Sequence, residues 1–454
     1  MTLFIRHCVA MAFTLALLGL GSRLHAQEKV SFRNQVAPLL VDHCLACHSP
    51  KKAEGGYRVD SFVRLGTAGD TGEAPFTAAK PDASELLRRL VSADPGERMP
   101  KDADPLSADQ IALVKRWIEE GANFDGPDAK LALFSYLPPP VYPAAPEAYR
   151  GPVPLTAMQF SADGNQLFVA GYNEITVWNP SDGALLRRIG NLPQRIFSIA
   201  INKDGSQLAV AGGTPGKIGE LRLIDAASGQ LIKVLTSSPD VLFDAQYSPA
   251  GDQIATAAAD GSIRVFDVAS GEQKLLISSH ADWVFAVAWN ADGTKLASGS
   301  RDKTAKVFDA KTGDLAITYS GHNQPVRGVM FHPDGAEVYS ASSDSKVHRW
   351  KIADAARVGE SGFGGEVYRL VPGGEFFFTS SSEKKVRQFK AKDQQQVREF
   401  PPMEDWAMSS AVHLPSGKVA GGSFSGEVKI WKLDDGSLLK EFRASPGWNG
   451  PKKP

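Results

Sequence analysis

Residues 280–309 read His-Ala-Asp-Trp-Val-Phe-Ala-Val-Ala-Trp-Asn-Ala-Asp-Gly-Thr-Lys-Leu-Ala-Ser-Gly-Ser-Arg-Asp-Lys-Thr-Ala-Lys-Val-Phe-Asp, and the same layout returns over 322–351. In each, an apolar run meets an Asp-Gly turn, a second apolar run follows, and a third closes on an aromatic residue with a polar neighbour, Phe308-Asp309 or Trp350-Lys351. Short apolar runs punctuated by glycine turns read as antiparallel strands. Outward from this stretch the turn glycines recur as Gly164, Gly205, Gly251, Gly293, Gly335, Gly374 and Gly417, 39–46 residues apart. Fourteen to nineteen residues after each comes Trp178-Asn179, Ile224-Asp225, Phe266-Asp267, Phe308-Asp309, Trp350-Lys351, Phe389-Lys390 or Trp431-Lys432. That period is the length of a four-stranded blade, so 153–447 is expected to form an all-β propeller of seven blades.

On these residues the region resembles the WD-repeat family. His280 with Asp302 and His322 with Asp344 recur at equal spacing and resemble the histidine and tight-turn aspartate that brace such blades. A catalytic His/Asp reading is weaker, because the pair recurs by repeat and no nucleophile accompanies it. Around Val367 and Val386 the repeat lacks the histidine and the Trp-Asp ending, which predicts a distorted blade. A closed propeller suits partner binding without specifying the partner. It holds no cysteine, and His332, His348 and His413 are scattered, so no second cofactor site is expected.

Before the repeats, 129–152 is rich in Pro and Ala, with Pro138, Pro139, Pro140, Pro143 and Pro146, and reads as a semi-rigid connector. Residues 448–454 read as a C-terminal tail. At the other end, Arg6, the apolar Cys8–Leu20 stretch and Ala26 read as a secretory signal over 1–26. The apolar stretch is shorter than the ~20 residues that span a bilayer, although Leu24 is bulky for a cleavage site and leaves a retained anchor open. The mature chain is expected to be extracytoplasmic, in the periplasm or its equivalent, without an integral span. Fifty Lys and Arg against 51 Asp and Glu give a net charge of −1. That supplies no excess of cations for phosphates, so a nucleic-acid partner is not expected.

Of three cysteines, Cys8 leaves with the signal; Cys44 and Cys47 remain, in Cys44-Leu45-Ala46-Cys47-His48. Two thiols two residues apart and followed by histidine have the spacing of c-type haem attachment: each thiol can form a thioether, and His48 then lies under the iron. A redox dithiol would want a βαβ context. A zinc site would have only the crowded set Cys44, Cys47, His43 and His48. A local disulfide is the plain alternative. Between Gln27 and Asp128 the other axial candidates are His43, next to Cys44 and badly placed to reach around a ring, and Met99, in a Met99-Pro100 turn. Met99 is therefore the expected second ligand, closing the iron and favouring electron transfer over oxygen chemistry.

Phe32, Val36, Leu39 and Leu40 recur at helical spacing, interrupted by Pro38. Ser84 or Asp82 could cap a helix carrying Leu86, Leu87 and Leu90. Ser107 and Gln110 read as a capping box for a helix with Ile111, Val114, Trp117 and Ile118 on one face, ending at Gly121. With Gly55-Gly56-Tyr57-Arg58-Val59-Asp60, Ser84-Glu85-Leu86-Leu87, Met99-Pro100 and Trp117-Ile118, the stretch 32–124 resembles the planctomycete-type cytochrome c domain. The resemblance implies one haem c with His48 and Met99 as axial ligands. It departs at Lys101, where the family often has a second proline. Lys51 and Lys52 could steer an acidic redox partner, and Arg58 could pair with a haem propionate. The expected architecture is thus multidomain: a small all-α cytochrome c domain over 27–128, then the seven-bladed propeller. The expected function is electron carriage, not catalysis, by a chain whose propeller docks a redox partner or a protein complex. The rival is an extracytoplasmic scaffold whose haem is structural or sensory.

Overall fold

The computed structural model describes residues 28–49, 52–133 and 139–448. The expected signal (1–26), Lys51, Pro138 and all but Trp448 of the expected tail lie outside the described residues. The chain divides into two compact units, 1–130 and 131–454.

In the first unit the Ser31 hydroxyl accepts from the Asn34 N–H at 3.0 Å and opens a wide helical turn, Phe32–Val36, that runs into α1 (Ala37–His43). Pro38 accounts for the join. Having no N–H, it cannot return a bond to Asn34, and the chain uses the looser contact from the Ala37 N–H to the Phe32 carbonyl instead. A single turn, α2 (Phe62–Leu65), follows, then α3 (Glu85–Val91) and α4 (Ala108–Glu119). The expected capping box of α4 is present, with Ser107 Oγ accepting from Gln110 N–H at 3.2 Å and Gln110 Oε1 from Ser107 N–H at 2.8 Å. Ser84 sits at the start of α3 but does not cap it. Its hydroxyl donates to the Lys80 carbonyl at 3.0 Å, because the 3-10 turn Pro81–Ala83 wraps back beneath it. The core gathers on α4: Trp117 is buried, packs on Phe32 and Phe76 with ring centroids 5.5 and 5.0 Å away, and donates its indole N–H to the Asn123 carbonyl at 3.0 Å. Burying each such ring contributes roughly 1.5–3 kcal/mol.

Among the described residues of the second unit, twenty-eight strands form seven four-stranded antiparallel sheets, each of consecutive strands. The first strand of each sheet faces the hub: β1 (Met158–Phe160), β5 (Arg195–Ile201), β9 (Leu242–Tyr247), β13 (Val284–Trp289), β17 (Val326–Phe331), β21 (Val367–Gly373) and β25 (Ala407–His413). These neighbour one another in a closed ring, β1 lying against β25. All seven turn glycines have positive φ, from 61 to 80°, the conformation that excludes most side chains. Apolar cores lie between neighbouring blades, and the ring closes the same way, Leu155, Phe160 and Val169 packing with Ala420, Val428 and Ile430. The sixth blade, expected to be distorted, is regular, because Phe377, Phe378 and Phe389 fill its core without the histidine.

The Pro-rich stretch ahead of the first blade is strapped to the propeller by two similar latches. Tyr142 donates to Glu220 at 2.7 Å, Arg222 Nε donates to the same carboxylate at 2.9 Å, and Arg222 Nη2 donates to the Pro140 carbonyl at 2.7 Å. Seven residues on, Tyr149 donates to Glu174 at 2.6 Å, Arg188 pairs with Glu174 at 2.5 Å, and Arg188 Nη2 donates to the Pro146 carbonyl at 2.6 Å.

Candidate functional site

Cys44 lies at the C-terminal cap of α1, where its N–H bonds the Leu40 carbonyl at 2.9 Å. The chain then makes one more helical turn, His48 N–H to Cys44 carbonyl at 3.0 Å, with Leu45 buried beneath it. A three-residue separation on a helical turn sets Cys44 and Cys47 on one side. Both are free thiols. They open onto a cavity of about 340 Å³ that is also lined by His48, Tyr57, Leu86, Leu90 and Met99. All four residues expected to hold the cofactor, Cys44, Cys47, His48 and Met99, therefore line one space, of a size typical of ligand pockets, roughly 300–1,000 Å³.

Sequence reading did not foresee how His48 is aimed. Its Nδ1 lies 3.2 Å from the Tyr57 carbonyl, which can only accept, so Nδ1 carries the proton and Nε2 keeps a free lone pair. Tyr57 is fixed in turn by its hydroxyl donating to the Leu65 carbonyl at 2.9 Å. The Gly55-Gly56 turn permits this wall: Gly55 and Gly56 have φ of 64 and 65°, and a Cβ on Gly69 would lie 2.5 Å from the Gly55 carbonyl. Met99 is presented from the opposite segment by its N–H donating to the Arg89 carbonyl of α3 at 3.0 Å. An ion-pair network braces that loop, with Arg88 to Glu97 at 2.7 Å and Arg88 and Arg89 to Glu85 at 2.6 and 2.7 Å. Hydrogen bonds from these arginines hold the Glu85 carboxyl down to about 2.

Burial, reinforced by Cys47, pushes the Cys44 thiol up to about 12. His43 turns to α4, its Nε2 3.2 Å from the Gln110 amide nitrogen, and no group of three or more metal-ligating His, Cys, Asp or Glu side chains converges among the described residues. Arg58, expected near a propionate, is held as a fork by Asp60 at 2.7 and 2.8 Å. Lys52 pairs with Glu54 at 2.8 Å. An apolar cavity with two thiols on one wall, an imidazole of fixed tautomer beside them and a thioether from the facing loop fits a covalently held haem.

The propeller contains a second arrangement with the look of chemistry. His280 Nδ1 lies 2.8 Å from Asp302 and its Nε2 2.7 Å from Ser298 Oγ; His322 repeats this with Asp344 at 2.8 Å and Ser340 at 2.9 Å. The serines were missed in the sequence, where they are ordinary strand residues. Both are fully buried, and Ser340 also accepts from the Trp350 indole at 3.2 Å, so these are internal braces with no room for a substrate. His348 stacks on His322 at 4.0 Å, and its Nδ1 lies 2.8 Å from the Tyr319 hydroxyl. Burial and the neighbouring His322 push His348 down to about 4, and burial also lowers His322. Unfolded histidine titrates near 6.5, so the unfolded chain binds more protons between the two values. The propeller should lose stability as pH falls from about 6.5 towards 4 through His348, by less than the ~1.4 kcal/mol per pH unit of a fully unscreened group, and His322 acts in the same direction. Urea midpoints at pH 7 and pH 5 check the sign, and His348→Asn should flatten the dependence.

Residues 44–103 match the family described as Planctomycete cytochrome C. Residues 229–267, 271–309 and 313–351 match the WD domain, G-beta repeat. No curated protein gives a significant match. Among solved structures, a chain in the crystal structure of the mitotic checkpoint complex aligns with 66% of this chain and 96% of its own length, at 19% identity and a TM-score of 0.56. At that identity the likeness concerns the fold alone. Among the described residues no helix is long and apolar enough to cross a membrane.

Proposed function

From a chain that joins a planctomycete-type cytochrome c domain to a seven-bladed WD-repeat propeller, we propose an exported c-type cytochrome that carries electrons to or from a protein docked on the propeller. The observation that carries this reading is the convergence of Cys44, Cys47, His48 and Met99 on one cavity, with His48 fixed in one tautomer by the Tyr57 carbonyl. Cys44 and Cys47 would hold the haem covalently through their sulfurs. His48 Nε2 and Met99 Sδ would hold its iron. Bound there, a haem c would supply a one-electron couple, and a site that commits both His48 and Met99 to holding the iron would favour electron transfer over oxygen or peroxide chemistry. Leu86 and Leu90 line the cavity with apolar surface that would shield the bound group from water. Export, expected from residues 1–26, places the thiols where haem attachment takes place.

The test is spectroscopic. The full chain, made with the haem-attachment machinery, should carry covalent haem and show, when oxidised, the weak near-infrared band of methionine sulfur on ferric iron. Met99→Ala should remove that band and open the reduced protein to rapid carbon monoxide binding while leaving the covalent haem in place. An unchanged band in that variant would assign the second ligand elsewhere.

A further inference from the structure

Six of the seven hub strands carry the same irregularity. In β5 the pairing with the next strand steps from Ile196 to Ser198, in β9 from Leu242 to Asp244, and in β13 from Val284 to Ala286. In β17 it steps from Val326 to Gly328, in β21 from Val367 to Arg369, and in β25 from Ala407 to Ser409. Each step is a β-bulge, and the residues left unpaired are Phe197, Phe243, Phe285, Arg327, Tyr368 and Met408. Those same six line a cavity of about 160 Å³ that draws on every blade, so it lies at the hub. A bulge frees one residue from the ladder and re-aims its side chain. Here it happens in six blades at one level, with Phe in three of them and Arg, Tyr and Met in the others.

The ring is chemically lopsided. Phe197, Phe243 and Phe285 form one aromatic arc, with centroids 5.3 and 5.0 Å apart from one ring to the next, and the half-exposed Trp283 extends it outwards, 5.5 Å from Phe243. Across it stand Arg327 and Arg369. Arg369 has an acidic neighbour, the buried Asp244 at 3.7 Å, and donates to the Phe197 carbonyl. Arg327 has none: among the described residues no carboxylate lies within 4.0 Å of its guanidinium. It lies over the Phe285 ring at 4.3 Å, and its Nε donates to Ser343 Oγ at 3.1 Å. Burial pushes this guanidinium below its ordinary value; Glu366 and Tyr368 oppose the shift, and Arg301 and Arg369 add to it. The nearest acid, Glu366, reaches Arg327 only through the Ser343 hydroxyl, which donates to it at 2.9 Å, so the guanidinium has no direct ion pair; a half-buried cation of this kind beside aromatic surface gains from a carboxylate more than an exposed one would.

We propose that this hub pocket receives an acidic side chain of a partner protein, its carboxylate on Arg327 and an adjoining apolar residue on the Phe243–Phe285–Trp283 arc. At about 160 Å³ the space is below the range of small-molecule sites and suits one inserted side chain. A desolvated charge pair flanked by Trp and Phe has the composition of an interface hot spot. The proposal rests on reading the propeller as the docking half, but its failure would be separable from failure of the haem reading.

The probe is acetyl-Leu-Glu-Phe-amide, titrated calorimetrically into the haem-loaded full chain, beside its Gln counterpart and inorganic phosphate. Saturable binding of the Glu peptide is expected, weakened at least about tenfold by the Gln peptide and by Arg327→Gln. Met408→Glu keeps Arg327 but sets a like charge against the ligand in the same pocket, and it should also abolish binding while thermal melting and haem content stay unchanged. No saturable binding, equal affinity for both peptides, or indifference to Arg327→Gln in a variant with a wild-type melt would overturn the proposal. Displacement of the peptide by phosphate at equal concentration would overturn it too, by marking a free-anion site.

Discussion

The double variant Cys44→Ser/Cys47→Ser is expected to be recovered without covalent haem, whereas either single change should keep one thioether and a haem that acid and organic solvent do not extract. The reason is positional. The two sulfurs stand three residues apart on one helical turn, held by the Cys44 N–H to Leu40 and the His48 N–H to Cys44, and open onto the same cavity. Serine keeps the size and the hydrogen bonding of this turn but cannot form the thioether, so the loss is chemical and not a failure to fold. The first unit should also weaken, because its apolar cavity then has nothing to fill it; each methylene-sized void costs ~1 kcal/mol. The measurement is the absorption of the purified protein after denaturing extraction, which removes free haem and retains only what is covalently held. Retention of full covalent absorbance by the double variant would remove the basis of the cytochrome reading. A His48→Ala variant separates the roles: attachment should persist and the spectrum of the six-coordinate iron should not.

What the sequence made legible was local. Cys44, Cys47 and His48 announce themselves because their chemistry needs adjacency. The seven blades announce themselves because turn glycines and apolar runs repeat. The regular sixth blade shows that these two signals suffice without the histidine, since Phe377, Phe378 and Phe389 supply the packing. Non-local hydrogen bonds left no trace. The partner of His48 is a backbone carbonyl, which any residue at position 57 would provide, and Ser298 and Ser340 look like ordinary strand serines until His280 and His322 fold onto them. The hub bulges were equally hidden. A bulge residue answers to the hub pocket and not to the ladder, and with Arg327 and Met408 among three Phe and a Tyr the equivalent positions do not follow one residue type. The Pro-rich stretch misleads for a related reason: composition reports stiffness, while Tyr142 and Tyr149 attach it through acids and arginines dozens of residues away.

That attachment leads to the largest effect expected in the propeller. Glu220 and Arg222 are wholly buried, and their ion pair at 2.9 Å is completed by Tyr142 and by the carbonyls of Asn191 and Pro140. Removing the carboxylate leaves Arg222 as a buried charge with only two carbonyls and the Tyr142 ring beside it, and Glu220→Ala should cost the second unit roughly 3–5 kcal/mol, read as a lower urea midpoint. The pair itself is not an optimal source of stability. Glu220 Oε1 has no hydrogen-bond partner, and desolvating two charges offsets most of their attraction. The double variant Glu220→Leu/Arg222→Met, which replaces the pair by apolar groups of similar length, should therefore recover most of the loss in midpoint. It should not recover the strap. With Arg222 gone, the Pro140 carbonyl loses its donor, and Tyr142 loses both its acceptor and the guanidinium over its ring at 4.7 Å. Proteolysis near residues 139–143 should accelerate in the double variant despite restored stability. If midpoint and protection return together, the latch contributes stability only and does not hold the strap. If they separate, the buried charge pair is there to fix where the chain enters the propeller.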